Sequence, residues 1–429
     1  MIDLRSIREG PSRIKKDLEK RNQKDKVKWI DEIIVLDNDF RNFKKQAEEL
    51  RHKRNNLSLE INEAKRLKRD INKIIREAKL IPNKIKQIEE KQNSISKRLE
   101  YLLMRIPNYL DPSVPIGKDA SENKIIKKIG VIPKFHFELK PHVELIEDLK
   151  LADFEAGRKV AGQGFNYLTG DMALLDHALQ RYGIDFILKE GFKLVVPPML
   201  LNKETLSGAV DLSAFEEVIY KIENEDLYLI GTAEHSLVSM LKDKTLKQED
   251  LPIKICALTP CFRKEIGGHG VDTKGLFRMH QFNKVEQVVI CNPKDSSKML
   301  EQMQNITEKF FKSLKIPFRV IEICSADLGG KFSKQYDIEA WFPRQNEYKE
   351  VTSAGNCTDY QARRLNIKYE NKGEKEYVHI LNNTMVATSR AMVSILENYQ
   401  QKDGSIKIPL ALQKYMNNQK KIWLNKSKK

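Results

Sequence analysis

The residues best equipped for chemistry cluster at positions 259–287, which read TPCFRKEIGGHGVDTKGLFRMHQFNKVEQ. Arg263, Lys264 and Glu265 come in succession, Gly267, Gly268, Gly270 and Gly275 punctuate the middle, and Phe277, Arg278, Phe282 and Glu286 lie on the return. A guanidinium holds phosphate, a carboxylate accepts from an exocyclic amine, and an aromatic ring stacks on a base. Those residue types suit a nucleotide. A surface hairpin with ordinary ion pairs is the plainer reading, and the stretch by itself leaves both open.

Other groups match the first in kind. Glu350 and Ser353, in the run Glu350-Val351-Thr352-Ser353, are hard oxygen donors of the type Mg²⁺ takes beside substrate phosphates. Period-two alternation predicts Glu350 and Thr352 on one face of a strand. Arg390 falls in the first turn of an apolar helix, where a cation is costly unless an anion meets it. In Gly231-Thr232-Ala233-Glu234 a hydroxyl and a carboxylate stand at a helix start. They suit an ammonium-bearing ligand, while an N-cap with a first-turn acid is the commoner meaning of the pattern.

These residues need a scaffold. The apolar run 253–258 reads as a buried strand, and with the Gly-rich stretch and the return it makes a hairpin. Alternation then predicts Arg263 and Glu265 on the same side. A helix is expected over 171–190, capped by Asp171 and stopped by Gly191, followed by a strand at 192–196 that ends at Pro197-Pro198. Further strands are expected at 215–222, 227–230, 318–324, around Trp341 and at 377–381. Helices are expected at 235–241, 295–314, 359–364 and 391–399. No regular βαβ rhythm runs through them, so the fold class is α+β, a mainly antiparallel sheet flanked by helices. Neither a Walker A sequence nor a GxGxxG after a strand is present, so a nucleotide would be held by arginines on a sheet.

The N-terminal third follows another period. After a basic, helical stretch over 1–28 with Pro11 near its start, Ile33, Leu36, Phe40, Phe43, Ala47, Leu50, Leu57, Ile61 and Ala64 recur in steps of three and four, broken by Arg54. A second series runs through Ile71, Ile74, Ala78, Ile81, Ile85, Ile88, Ile95, Leu99, Leu102 and Ile106, with Gln92 its polar member and Pro82 a possible kink. Two such series joined by a polar link predict a long antiparallel helical hairpin, a coiled coil over about 30–105, with each helix about 50 Å long. Lys65, Arg66, Lys68, Arg69, Lys73 and Arg76 crowd the link. They suit a phosphate backbone, or equally a solvated coiled-coil surface. Four prolines over 107–137 exclude regular helix there, and the boundary divides the chain into 1–110 and 111–429.

The bulk numbers narrow the class. A chain of 429 residues needs two or three domains, and 76 Lys+Arg against 60 Asp+Glu gives a net charge of +16, which suits a polyanionic partner. Five cysteines without ligand spacing argue against a disulfide framework and a closed zinc site. No signal peptide or membrane-length apolar run is present, so the expected location is cytoplasmic.

The segments FRKE, RMHQF and KVE resemble motif 2 of the class II aminoacyl-tRNA synthetases, the segment from Ala387 to Pro409 resembles motif 3, and the helix and strand before Pro197-Pro198 resemble motif 1. More narrowly, GTAE, HGVDTKGLFRMHQF, EVTS, LENYQ and the two-helix arm are together similar to the seryl-tRNA synthetase family, on its archaeal and eukaryotic side because Asn382-Asn383-Thr384 stands where bacterial members usually have Asn-Gly-Ser. The resemblance covers essentially the whole chain. It implies a ligase that attaches L-serine to tRNA(Ser) through a seryl adenylate, with tRNA(Sec) a second candidate substrate, ATP and Mg²⁺ required, and a homodimer formed through motif 1. It implies an ATP site of Arg263, Lys264, Glu265, Arg278, Met279, His280, Gln281, Phe282, Glu350, Val351, Thr352, Ser353 and Arg390, with Arg263 and Arg390 catalytic and Glu350 and Ser353 on the metal. It implies a serine pocket of Thr232, Ala233, Glu234, Arg263, Glu286, Asn382 and Thr384, free of zinc, and tRNA contacts from the six basic residues of the arm. Val271 departs from the basic residue common in the motif 2 loop, and Thr384 from serine. A homologue that loads a carrier protein would lack the arm; a non-catalytic RNA-binding relative would have lost some of Arg263, Glu265, Glu286, Glu350 and Arg390, and all five are present.

Overall fold

The computed structural model describes residues 1–212, 217–265 and 275–423. The glycines Gly267, Gly268 and Gly270, Val271, part of the expected strand 215–222 and most of the basic tail lie outside the described residues. The chain divides into two compact units, Met1–Pro107 and Asn108–Lys429.

In the first unit α1 (Leu4–Glu9) stops at Gly10, and α2 (Pro11–Lys20) places Pro11 at its first position, where no helical N–H is needed. The hairpin consists of α3 (Val27–Arg66) and α4 (Asn72–Arg105). Its seam is the apolar series: Ile33, Ala47, Leu57, Ile81, Ile85, Leu99 and Leu102 are buried, while Arg54 faces solvent. Helix α4 continues through Pro82. Charges flank the seam. Arg98 grips Glu32 with two bonds of 2.6 and 3.0 Å, Arg51 meets Glu89 at 2.7 Å, and Lys53 pairs with Glu77.

The second unit contains β1 (Lys124–Ile129), α5 (Gly170–Lys189), β2 (Lys193–Leu194), α6 (Ala233–Ser239), β3 (Ile253–Phe262), β4 (Gln281–Cys291), α7 (Ser296–Ser313), β5 (Phe318–Glu322), β6 (Lys334–Phe342), β7 (Glu347–Asn356), α8 (Tyr360–Arg364), β8 (His379–Ala387) and α9 (Thr388–Tyr399), with shorter pieces between them. Among the described residues the main sheet has eight strands in the order β1-β5-β6-β7-β8-β4-β3-β2. Neighbours are antiparallel except β2 and β3, which run parallel.

Alternation sorts each strand. Along β4, Val285 and Val289 join the core under α5, α7 and α9, with Leu175, Leu179, Phe310 and Ile395. Glu286, Val288 and Ile290 point to the other face, where the last two pack with Leu237 of α6 and Ala362 of α8. That second face carries the site.

Several local expectations change. Thr169 takes the N-cap position of α5, and Asp171 instead accepts from Gln419 at 2.7 Å. Gly191 follows the helix with φ +83°, as its stop signal requires. The expected strand 192–196 shortens to Lys193–Leu194, with Val195 donating once more to the Cys256 carbonyl of β3 at 2.8 Å. The helix expected at 235–241 begins two residues earlier. The proline-rich connector holds β1, an edge strand that sequence reading missed because prolines exclude helix but not an edge pairing.

Candidate active site

On the face opposite α5 and α7, and reached by the first turn of α9, a cleft is lined by Arg263, Glu265, Phe277, Arg278, Met279, Phe282, Lys284, Glu350, Val351, Thr352, Thr384, Ala387, Ser389 and Arg390. Its open part is a row of cations over rings and beside acids. Arg263 Nε donates to the Gly231 carbonyl at 3.1 Å, and its guanidinium lies 5.5 Å from the Phe282 ring centroid. Arg278 meets Glu265 at 3.5 Å. Arg390, in the first turn of α9, donates to the Glu350 carboxylate at 3.0 Å and lies 5.2 Å from the Phe277 ring centroid. The anion that its position called for is Glu350.

Two alternation arguments from sequence are corrected here. Strand β3 ends at Phe262, so pleating does not govern Glu265; its backbone is left-handed, φ +46°, and it lies against Arg278. In β7 the register against β6 shifts: Ile338 faces Thr352, but Glu339 faces Glu350, leaving Val351 as an extra residue. Such a bulge reverses the pattern beyond it. Val351 and Ile338 join the core and Thr352 is buried. Glu350 and Ser353 therefore share the open face with Glu339 and Asp337, and Gln335 donates to both Asp337 and Ser353 at 3.0 and 3.1 Å. Burial, then the nearby Glu350 charge, pushes the Asp337 carboxyl well above its usual range.

The floor is charged and buried. Thr232 is the N-cap of α6 and accepts from the Glu234 amide at 3.2 Å. Glu234 and Glu286 are only 3% and 1% exposed. Lys284 pairs with Glu286 at 2.6 Å, and the Thr384 hydroxyl, directly across the ladder, donates to Glu286 and accepts from Lys284, both at 3.3 Å. Glu234 Oε1 accepts from Gln361 at 2.7 Å and pairs with the Lys331 ammonium. Asn382 donates to the Cys357 sulfur at 3.5 Å.

Protonation follows burial and pairing. Burial pushes the Glu286 carboxyl up, and Lys284 only partly offsets this. Burial acts on Glu234 in the same sense, but the Lys331 charge, with the hydrogen bonds from Lys331 and Gln361, outweighs it and the net shift is down. Burial pulls Lys331 down, and the Glu234 charge more than restores it. His235, with its Nδ1 buried and unpaired, is driven to about 3 by burial and is neutral.

Not every expected residue lines the cleft. Lys264 bonds through its amide to Val218 and places its ammonium near the Tyr220 ring. His280 pairs with the Tyr220 hydroxyl. Gln281 lines a neighbouring hollow with Phe165, Asn166 and Asp176. Ala233 is buried inside α6. Lys65, Arg66, Lys68, Arg69, Lys73 and Arg76 are all exposed in the first unit. Sequence reasoning missed Lys284, Lys331, Asp337 and Gln361. Lys284 was within reach, being two residues before Glu286 on one strand. Lys331 and Gln361 meet Glu234 across 97 and 127 residues, and no local pattern announces such contacts.

Residues 217–399 match the model of the family described as the tRNA synthetase class II core domain (G, H, P, S and T). An antiparallel sheet with an arginine-lined cleft on its open face is thus a class II synthetase core. Residues 1–110 match the seryl-tRNA synthetase N-terminal domain. The serine--tRNA ligase of Methanospirillum hungatei JF-1 is 48% identical over 97% of this chain and 99% of its own length. The crystal structure of seryl-tRNA synthetase from Pyrococcus horikoshii complexed with ATP superposes with a TM-score of 0.93 at 41% identity, covering 99% of this chain and 100% of the other. The cytoplasmic serine-tRNA ligase of Naegleria fowleri in complex with AMP gives 0.88 at 33% identity, covering 99% of each. The chain belongs to the seryl-tRNA synthetase family.

Proposed function

We propose that the protein joins L-serine to tRNA(Ser) in two steps, with residue roles set by the cleft. The serine carboxylate attacks the α-phosphorus of ATP and pyrophosphate leaves; a terminal hydroxyl of the tRNA then attacks the acyl carbon and AMP leaves. Arg263 holds the α-phosphate, Arg278 and Arg390 the outer phosphates, and Glu265 accepts from the adenine amine while Phe282 stacks on the base. The ion pairs Arg278–Glu265 and Arg390–Glu350 lie at the open part of the cleft, so phosphate can exchange with carboxylate at little cost. Preorganised cations then stabilise charge spreading over the phosphate oxygens.

The observation that carries serine as substrate is the floor. Glu286 is a buried acceptor already bonded to a hydroxyl, that of Thr384. A substrate hydroxyl can take part in the same bonding, and alanine would leave the carboxylate short of a donor. Thr232, Glu234 and Asn382 complete the pocket, Glu234 receiving the substrate ammonium.

The oxygens of Glu350 and Ser353, brought to one face by the bulge, fit a hard cation and would hold Mg²⁺. Bound there, the ion neutralises charge on phosphate oxygens. Among the described residues no three His, Cys, Asp or Glu side chains are grouped to bind a metal by themselves, which is consistent with phosphate completing the shell.

We further propose that the six basic residues near the α3–α4 turn contact tRNA phosphates, that tRNA(Sec) is charged as well, and that the enzyme works in the cytoplasm as a homodimer. Among the described residues no helix is long and apolar enough to cross a membrane. Changing Lys68 and Arg69 to Glu should raise the KM for tRNA about tenfold at low salt and leave amino-acid activation alone. An unchanged KM would move the tRNA contact elsewhere. The function itself is tested by tRNA-independent ATP–pyrophosphate exchange across the amino acids: serine alone should support it, and exchange with none would overturn the reading.

A further inference from the structure

Glu234 is assigned above to the ammonium of serine, yet an ammonium already touches it. Lys331 comes from the segment between β5 and β6, and its Nζ pairs with Glu234 Oε1. Gln361 donates to the same oxygen at 2.7 Å. The carboxylate side chain is 4% exposed and the lysine side chain 23%. This contact resembles in chemistry the one expected from substrate: a primary ammonium on a buried carboxylate.

The lysine is held in place by its surroundings. Asn108 Nδ2 donates to the Lys331 carbonyl at 3.0 Å and to the Cys357 carbonyl at 2.8 Å, tying this segment to the end of β7. The next residue, Phe332, packs its ring against Gly355; a Cβ there would lie 2.1 Å from a ring carbon, so only glycine admits the ring. The Lys331 ammonium is also 4.7 Å from the centroid of that ring. Its charge reaches beyond Glu234, opposing the upward shift of Glu286. The floor thus balances two carboxylates, Glu234 and Glu286, with two ammoniums, Lys284 and Lys331.

We propose that Lys331 is a positioning residue that shares Glu234 with the substrate ammonium and thereby sets the affinity for serine. The proposal rests on the function inferred above. Two cations drawn to one carboxylate repel each other, and the repulsion is weakly screened in a buried site. The lysine orients Glu234 through Oε1, and serine, whose own ammonium holds the carboxylate ionised when bound, binds at reduced affinity because it meets a carboxylate that is already half satisfied. The Lys331 ammonium contacts Glu234 and the Phe332 ring and its charge reaches Glu286, all on the serine side of the site, so its effect belongs to KM for serine.

The test is serine-dependent pyrophosphate exchange by full-length wild type, K331M, K331Q and K331R. Methionine keeps the stem volume without the charge, glutamine keeps a donor without the charge, and arginine keeps the charge. K331M and K331Q should lower the KM for serine about tenfold, with kcat and the KM for ATP within twofold of wild type, and K331R should stay near the wild-type KM. A lower unfolding midpoint is expected of both neutral variants, because Glu234 loses its cation; a lysine that only supports the fold would also give a raised KM for serine or a lowered kcat, and either of these overturns the proposal. If K331M does not fold, K331Q against K331R decides, and equal KM values for serine overturn it. Absence of exchange by the wild type with every amino acid would instead strike the functional reading itself.

Discussion

Arg98 and Glu32 pair between α3 and α4 with side chains 46% and 37% exposed, whereas Lys284 and Glu286 pair on the cleft floor at 8% and 2%. The same chemistry has different consequences in the two units. In the hairpin an apolar seam carries the stability, and flanking charges in solvent add at most about 1 kcal/mol each. On the cleft floor each charge depends on its neighbour, and removing one leaves another buried and unpaired, at about 3–5 kcal/mol. The hairpin's solvent-exposed pairs can be lost one at a time; a buried pair of the floor cannot lose one member without stranding the other.

That contrast can be broken or sharpened by experiment. The largest effect should come from Arg263→Ala, which cuts pyrophosphate exchange by about a thousandfold, the scale of losing a preorganised donor, while the unfolding midpoint holds. Retained exchange would place the phosphate site away from β3. Lys284→Met should cost about 3 kcal/mol in denaturant unfolding, because Glu286 loses its cation. A change below about 1 kcal/mol would erase the distinction between the two pairs.

His235 gives a pH test of burial. Its folded pKa of about 3 lies below the ordinary value of 6.5, so between these values the unfolded chain binds the extra proton. Its contribution is complete above pH 6.5 and is lost as pH falls through that window. From pH 6.5 to 5 the loss should be about 1–2 kcal/mol, and His235→Gln should remove that part of the slope; the same slope in the variant would show that other groups cause it. Arg98→Ala should show the smallest effect, under about 1 kcal/mol and weaker still in high salt. A loss as large as that of Lys284→Met would mean that the hairpin relies on its charges as the floor does.

Legibility followed range. The α3–α4 seam was readable member by member because a helical period is local, and Arg54 stands exposed where the pattern said it broke. Thr232 capping Glu234 was readable for the same reason. Strand faces were readable only where pairing stayed regular. The bulge at Val351 transferred Ser353 to the face of Glu350, and nothing within Glu350-Val351-Thr352-Ser353 states that Val351 goes without a partner on β6.

By itself, then, the sequence determined the α+β class, the helical hairpin and the short motifs that mark the family. Each depends on periodicity, composition or a short motif, and these act through neighbours in the chain. Only tertiary structure decided which polar groups meet: Arg390 with Glu350, Asp337 with Ser353, Lys331 and Gln361 with Glu234. Partners in a low-dielectric interior are chosen by burial and pairing across distant segments, and that information appears only when the sheet closes.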